Sequence, residues 1–183
     1  MSDTNREVLL SVKNLDFKFT LRGQVLHALR GISLDVYKGE SLAIVGESGS
    51  GKSVFVSTLM GLNAANGRIP GGSISYDGWE LTRLHTNEDW RQIRGRKIAM
   101  VMQDPMTSLN PLKTIGYQIQ EAVELHQNLH GEEAKKAVYE LLTDVGISEP
   151  ERRYKQYPHE FSGGMRQRVV IAIAVACKPE ILI

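Results

Sequence analysis

The sequence is short of cysteine, of net charge and of long apolar runs. Its single cysteine, Cys177, cannot form a disulfide within the chain and does not indicate a redox compartment. The 22 lysine and arginine residues stand against 21 aspartate and glutamate residues, for a net charge of +1. This balance does not favour a nucleic acid or an anionic membrane surface as a partner, and we expect no nucleic-acid binding.

Segments that would enter or cross a membrane are lacking as well. Residues 1–7 are polar and have no apolar core behind them, which argues against a signal peptide. The longest apolar run, residues 169–177, is about half of the roughly 20 residues that a bilayer span needs. We therefore expect a cytosolic protein that reaches a membrane only through a partner.

The first part of the chain has the patterns of strands. Hydrophobic residues make up 42% and charged residues 23%, a composition typical of one globular domain with a core. Apolar alternation predicts strands over residues 8–19, with a break near Asn14, and over residues 32–36, before a turn at residues 38 and 39. The apolar run at residues 41–45 predicts a strand buried on both faces.

The rest of the chain alternates between helix and strand signals. A helix is predicted over residues 52–60, closed by Gly61, and Asp77-Gly78 predicts a hairpin. Another short apolar run covers residues 98–102. Two amphipathic helices are then predicted from apolar residues at helical spacing, namely Ile115, Ile119, Ala122 and Val123 in one and Ala134, Val138, Leu141 and Val145 in the other. A buried helix over residues 165–177 and a strand from Glu180 complete the prediction.

A glycine-rich octapeptide fits the phosphate-binding pattern G-x-x-x-x-G-K-[ST]. Glycines let successive N–H groups point at phosphate oxygens, the lysine reaches the β- and γ-phosphates, and the serine hydroxyl can bind Mg²⁺. The alternative is a turn that binds nothing, but a chance match is expected in only about one chain in a hundred of this length. The predicted strand before it and helix after it favour the functional interpretation. The octapeptide consists of Gly46, Glu47, Ser48, Gly49, Ser50, Gly51, Lys52 and Ser53.

A second anion-binding pattern opens the predicted helix near residue 165. Ser162 offers a hydroxyl, while Gly163 and Gly164 leave the backbone open at the positive end of that helix. Such a cap is common by itself. After a phosphate loop and a helical insert, however, it resembles the LSGGQ signature of ABC ATPases, with Phe161 in place of Leu and Met165 in place of Gln.

Residues 103–111 and 157–168 narrow the resemblance to the ATPase subunits of oligopeptide and dipeptide importers. The resemblance covers roughly residues 9–183. It implies an α/β fold, with a P-loop NTPase core, N-terminal antiparallel strands and an inserted α-helical subdomain. The implied parts of this domain are residues 1–103 (β subdomain and P-loop core), 104–158 (helical subdomain) and 159–183 (signature motif, its helix and the next strand).

The resemblance also implies ATP and Mg²⁺ as cofactors and assigns roles to single residues. Gln103 matches the glutamine that reaches Mg²⁺ and the attacking water, and Ser53 matches the hydroxyl ligand of Mg²⁺. Phe19 matches the aromatic residue that stacks on adenine, although core packing explains a phenylalanine in a strand equally well. Ser162, Gly163 and Gly164 match the site that binds the γ-phosphate of ATP held by the opposite subunit.

The implied partners are a second ABC ATPase subunit, identical or different, and transmembrane permease subunits at the cytoplasmic face of the cell membrane. Peptide cargo would arrive through a separate binding protein. The family's catalytic Asp and Glu and its switch His do not occur before Ile183, so we expect this chain alone to bind ATP without hydrolysing it. The alternatives are a non-catalytic nucleotide-binding module and an importer ATPase for nickel or another small solute. A DNA-repair ATPase is disfavoured because the insert is short.

Overall fold

The computed structural model describes residues 6–183, apart from the side chains of residues 105 and 106. Most of the polar stretch that argues against a signal peptide lies outside the described residues. The chain forms two compact units, of which the first ends at Trp90 and the second runs from Arg91 to Ile183.

The first unit is built on an antiparallel sheet with the strand order β2-β1-β3-β4. Its helix α1 comes between the second and third strands, and a 3₁₀ turn at Leu81–Arg83 packs against β3. The elements are β1 (Val8–Leu21), β2 (Gln24–Tyr37), α1 (Lys52–Leu59), β3 (Gly67–Tyr76) and β4 (Trp79–Glu80).

A bulge in β1 fixes which side chains enter the core of this unit. Side chains of a strand alternate between its faces, so residues 10 and 12 would face away from residues 15 and 17 in a regular strand. Asn14 has a φ of 46°, and the pairing with β2 shifts register between Val12 and Leu15. Because of this shift both apolar pairs are buried, which confirms the predicted break near Asn14.

A cross-strand contact ties β1 to β2 beside this bulge. His27 Nε2 donates to Asp16 Oδ1 at 2.7 Å, and the Gly31 N–H donates to the same oxygen at 3.2 Å. The hydrogen bond from His27 is the main reason why the pKa of Asp16 lies below its ordinary value of 3.8, against an opposing effect of burial. The ionised carboxylate is therefore stabilised by folding.

Asp16→Asn is expected to flatten the acid dependence of stability. A carboxylate with a lowered pKa in the folded state stabilises the fold above pH 3.8, and this stabilisation is lost as the pH falls through the folded-state value. The difference in urea midpoint between wild type and Asp16→Asn should shrink between about pH 5 and about pH 3. Asp77→Asn, in the exposed hairpin turn, is the control. A constant difference over this range would contradict the expectation.

Most strand predictions for the first unit are confirmed, and one is wrong. The hairpin turn at Asp77 and Gly78 is present, with φ values of 43° and 78°, and α1 ends before Gly61 as predicted. Residues 41–45 form no strand, and Val45 is 88% exposed. An apolar run becomes a buried strand only where neighbouring strands take its backbone hydrogen bonds, and none of the described strands pairs with this run.

The second unit is mainly helical. Strands β5 and β6 form a parallel pair, in which the Glu180 and Ile181 N–H groups both donate to Lys97 O. The strand predicted over residues 98–102 is shorter in the structure, where it covers Ile98–Ala99. The elements are α2 (Asn87–Ile93), which begins in the first unit, β5 (Ile98–Ala99), α3 (Pro105–Ser108), α4 (Ile115–Gln127), α5 (Gly131–Asp144), α6 (Pro150–Tyr154), α7 (Gly163–Ala176) and β6 (Ile181–Leu182).

Helices α4, α5 and α7 pack around one apolar cluster, which confirms the two amphipathic helices predicted from spacing. Thr114 caps α4 by accepting a hydrogen bond from the Tyr117 N–H at 3.3 Å, and α5 stops before Gly146, where φ is 74°. Arg168 of α7 donates to Gly146 O at 2.9 Å and so holds the end of α5. Among residues 6–183, no helix has the length and apolar character that a membrane crossing requires. The side chains that are completely buried in the cluster are those of Ile115, Ile119, Val123, Ala134, Val138, Leu142, Val169, Ala172 and Ala176.

Candidate functional site

The phosphate loop, residues 46–53, is an exposed loop that ends in the first turn of α1. Ser50 N–H donates to Glu47 O at 3.2 Å, which closes a tight turn. Gly51 is the N-cap of α1, with φ of 96° and ψ of 0°, and no side chain caps the helix. The first N–H of the helix to bond within it is that of Phe55, to Gly51 O at 2.8 Å. The earlier N–H groups of the turn therefore face outward as hydrogen-bond donors.

Lys52 is held inside this loop by main-chain carbonyls. Its Nζ donates to Gly46 O and to Glu47 O, each at 2.7 Å, and lies 3.3 Å from Ser50 Oγ. Neutral carbonyls do not cancel the charge of the ammonium group. The loop therefore presents a positive charge at the positive end of a helix dipole, with no acidic residue in the first turn to oppose it.

Two glycines of the loop, Gly46 and Gly51, have close neighbours. A Cβ on Gly46 would lie 2.8 Å from Ser50 Oγ. A Cβ on Gly51 would lie 3.0 Å from Ala28 O and 3.2 Å from Leu29 Cδ2, and its φ is in the left-handed region. At Gly51 the left-handed backbone therefore favours glycine, as the sequence pattern does.

These features fit a phosphate group. Outward N–H donors, the helix dipole and one ammonium group together favour a multiply charged anion. Ser53 is exposed on the first turn of α1, where its hydroxyl is available to a cation bound with the phosphates. The arrangement can therefore bind a nucleotide through its phosphates.

Ser162 forms the N-terminus of α7 as the sequence predicted. Its Oγ accepts from the Met165 N–H at 3.3 Å, and its backbone is extended. A Cβ added to Gly163 or Gly164 would meet no atom within 4 Å. The space over both glycines is open, so their backbone is accessible to a group from outside the chain.

The residues on either side of this cap hold it in place. Phe161, at the position where the signature has Leu, is 3% exposed, with the Arg153 guanidinium 5.7 Å from its ring centre. Arg166 Nε donates to Pro158 O at 2.7 Å. The departure from the signature at residue 161 therefore places an apolar side chain in the core and leaves Ser162 exposed.

The structure brings the predicted site residues together in two sets, residues 46–53 and residues 162–164. Gln103 is exposed and lies four residues beyond the end of β5. Phe19 is half-buried on β1, where its ring packs edge-to-face on Phe17 with 5.0 Å between ring centres. The roles of Gln103, Phe19 and Ser53 stay predictions.

One contact at the far end of α1 from the phosphate loop was not recognised from the sequence. The indole of Trp90 packs directly on Gly61 at the end of α1. The sequence marks Gly61 as a helix stop, but no sequence signal shows which side chain covers it.

Comparison with known proteins agrees with this geometry. Residues 29–183 match the family model described as ABC transporter. The chain is 52% identical to the oligopeptide transport ATP-binding protein AmiE of Streptococcus pneumoniae, over 97% of this chain and 50% of that protein. It is 49% identical to the dipeptide transport ATP-binding protein DppD of Bacillus subtilis, over 97% of this chain and 53% of that protein. The chain thus spans about half the length of these relatives.

A solved structure shows the same fold. The dimeric, post-hydrolysis structure of the ATP-binding cassette MJ0796 bound to ADP and Pi superposes with a TM-score of 0.82 at 28% identity, over 95% of this chain and 72% of that chain. Fold and phosphate loop together define a mixed α/β protein of the P-loop NTPase class. More narrowly, the chain belongs to the ABC transporter family. The resemblance stated from the two sequence motifs is therefore confirmed.

Proposed function

We propose that the protein is the ATP-binding subunit that powers import of oligopeptides or dipeptides by an ABC transporter. The observation that carries this proposal is the phosphate loop, in which Lys52 and the uncapped start of α1 face the same exposed space. The relatives named above, which are transport ATP-binding proteins for peptides, support the choice of cargo.

In this proposal the nucleotide is ATP with Mg²⁺. Lys52 and the N–H groups of residues 46–53 would hold the phosphates, and the Ser53 hydroxyl and the Gln103 amide would bind the metal. Mg²⁺ supplies positive charge that stabilises a phosphoryl group during transfer. Phe19 would contact the adenine.

The open backbone of Gly163 and Gly164 would serve a second ATPase domain. The Ser162 cap and the α7 N-terminus would contact the γ-phosphate of ATP held by that second domain, so that ATP joins the two. Residues 104–158, the proposed helical subdomain, would dock on transmembrane permease subunits at the cytoplasmic face of the membrane. A separate binding protein would deliver the peptide.

Gly164→Asp is expected to separate ATP binding from ATP turnover. An aspartate in the first turn of α7 suits the helix dipole, and its Cβ would meet no atom within 4 Å, so the fold should persist. Its charge would repel the phosphate of the opposite subunit, and turnover by the full-length protein should fall by about 10²-fold or more. Binding to the phosphate loop should stay unchanged in equilibrium dialysis. Gly164→Ala, which adds only a methyl group in open space, is the control and should keep its turnover.

The cargo and the catalytic role are tested in the assembled transporter. Two uptake measurements into proteoliposomes are compared, one with a labelled peptide and one with Ni²⁺. MgATP-dependent uptake of the peptide without uptake of Ni²⁺ would support the proposal. Uptake of Ni²⁺ instead would show that the cargo is a small solute and not a peptide. ATP binding without turnover in the presence of permease subunits and peptide would show a non-catalytic module.

A further inference from the structure

Trp90 lies against the end of the helix that follows the phosphate loop. Its side chain is on α2 and is 7% exposed, whereas Trp79 on β4 is 38% exposed. Three indole carbons, Cε2, Cζ2 and Cη2, occupy the space that a Cβ on Gly61 would need. The indole therefore covers the backbone at the point where α1 stops.

The end of α1 is closed by several further interactions. The Gly61 N–H donates to Thr58 O at 3.1 Å, and the Leu62 N–H donates to Ser57 O at 2.8 Å. The Thr58 hydroxyl, in a residue only 2% exposed, lies 2.7 Å from Val54 O and 3.2 Å from Asn63 Oδ1. The C-terminal end of α1 is thus fixed.

The other end of α1 is fixed by the sheet. A Cβ on Gly51 would lie 3.0 Å from Ala28 O and 3.2 Å from Leu29 Cδ2, so the backbone there is in close contact with β2. A helix of eight residues is about 12 Å long and behaves as a short rigid rod. A shift at Gly61 would therefore tilt the helix about Gly51 and so change the direction of Lys52 and Ser53 at its start.

We propose that Trp90 is a positioning residue for the phosphate loop: by covering Gly61 it sets the place of α1, and with it that of Lys52 and Ser53. This inference rests on the proposed nucleotide binding. A tryptophan suits the task because its large flat ring covers exposed backbone over a wide area. In this proposal Trp90 does not touch the nucleotide and acts only through α1.

Fluorine NMR of the full-length protein labelled with 5-fluorotryptophan tests the proposal with the native side chain in place. Trp90→Phe and Trp79→Phe assign the resonances of these two indoles, since each substitution removes one. Saturating MgATP is expected to shift the Trp90 resonance and to leave the Trp79 resonance in place. Because the indole packs on Gly61, two residues beyond the end of α1, a change of α1 on loading of the loop should alter its surroundings.

Affinity measurements complete the test. Trp90→Ala should weaken ATP binding by about tenfold, because a loop displaced by a fraction of an ångström loses its alignment with the phosphates. Trp90→Phe, which keeps a flat ring over Gly61, should restore the affinity to within about threefold. Leu81→Ala, at a residue that is 2% exposed in the same unit, controls for lost stability and should bind ATP like the wild type.

The outcomes separate this inference from the proposed function. A wild-type protein that does not bind ATP in equilibrium dialysis would refute the proposed function itself. If the wild type binds ATP, either an unmoved Trp90 resonance at saturation or a Trp90→Ala affinity equal to that of the wild type overturns the positioning role alone. The NMR measurement decides the matter even where Trp90→Ala does not fold.

Discussion

Lys52→Ala is expected to weaken ATP binding by about 30-fold or more. The ammonium group sits between Gly46 O and Glu47 O, at the position from which it reaches phosphate oxygens beside the start of α1. Its loss removes the one side-chain cation of the loop and leaves the phosphates with backbone donors only. Removing one partner of such a charged contact costs roughly 2–5 kcal/mol, which is a loss of affinity of about 30-fold to several thousand-fold.

Isothermal titration with ATP and Mg²⁺ measures this effect. Lys38→Ala is the matched control, because Lys38 belongs to the same unit, is 71% exposed and forms an exposed ion pair with Glu7 at 3.5 Å. Its affinity should equal that of the wild type. An unchanged affinity in Lys52→Ala would remove the phosphate loop from the site and with it the basis of the proposed function.

Gly72→Ala is expected to lower the free energy of unfolding more than the other glycine-to-alanine substitution proposed above. Gly72 has a φ of 91°, and a Cβ there would overlap the main chain of Asn14 and Leu15 at the β1 bulge. Main-chain atoms in a paired strand cannot rotate away as the end of a side chain can. The left-handed backbone and the overlap together should cost about 3 kcal/mol.

The neighbouring glycine provides the control. A Cβ on Gly71 would come no closer than 3.9 Å to Asp16 Oδ2, and its backbone lies outside the left-handed region. Gly71→Ala should therefore change the free energy of unfolding by less than about 1 kcal/mol in urea denaturation. Equal stability of the two variants would show that β3 can move away from the bulge at little cost.

The elements that could be predicted from the sequence are those whose signal is local. Helices α4 and α5 follow from apolar residues at helical spacing, and the hairpin after β3 follows from Asp77-Gly78, because both depend on neighbours along the chain. The hairpin between β1 and β2 was missed, since His27 and Arg30 interrupt the alternation in β2. The strand predicted for residues 41–45 was wrong because pairing with other strands is a tertiary property.

The same distinction holds for the site. The phosphate loop and the Ser162 cap are local structures, in which a few consecutive residues fix both the backbone angles and the donors. The contact between Gly61 and Trp90 joins residues that are far apart in the sequence, and no pattern encodes it. Gln103 and Phe19 take their proposed roles from resemblance, since neither has a local geometry that only one function explains.

The run at residues 41–45 also has a practical consequence for solubility. Leu42, Ile44 and Val45 are 47%, 43% and 88% exposed in a segment that pairs with none of the described strands. An exposed apolar segment without strand partners is a template on which other chains add as strands, and this one directly precedes the phosphate loop. Concentrated samples should therefore self-associate through this segment. Binding is best measured with dilute protein, soon after purification.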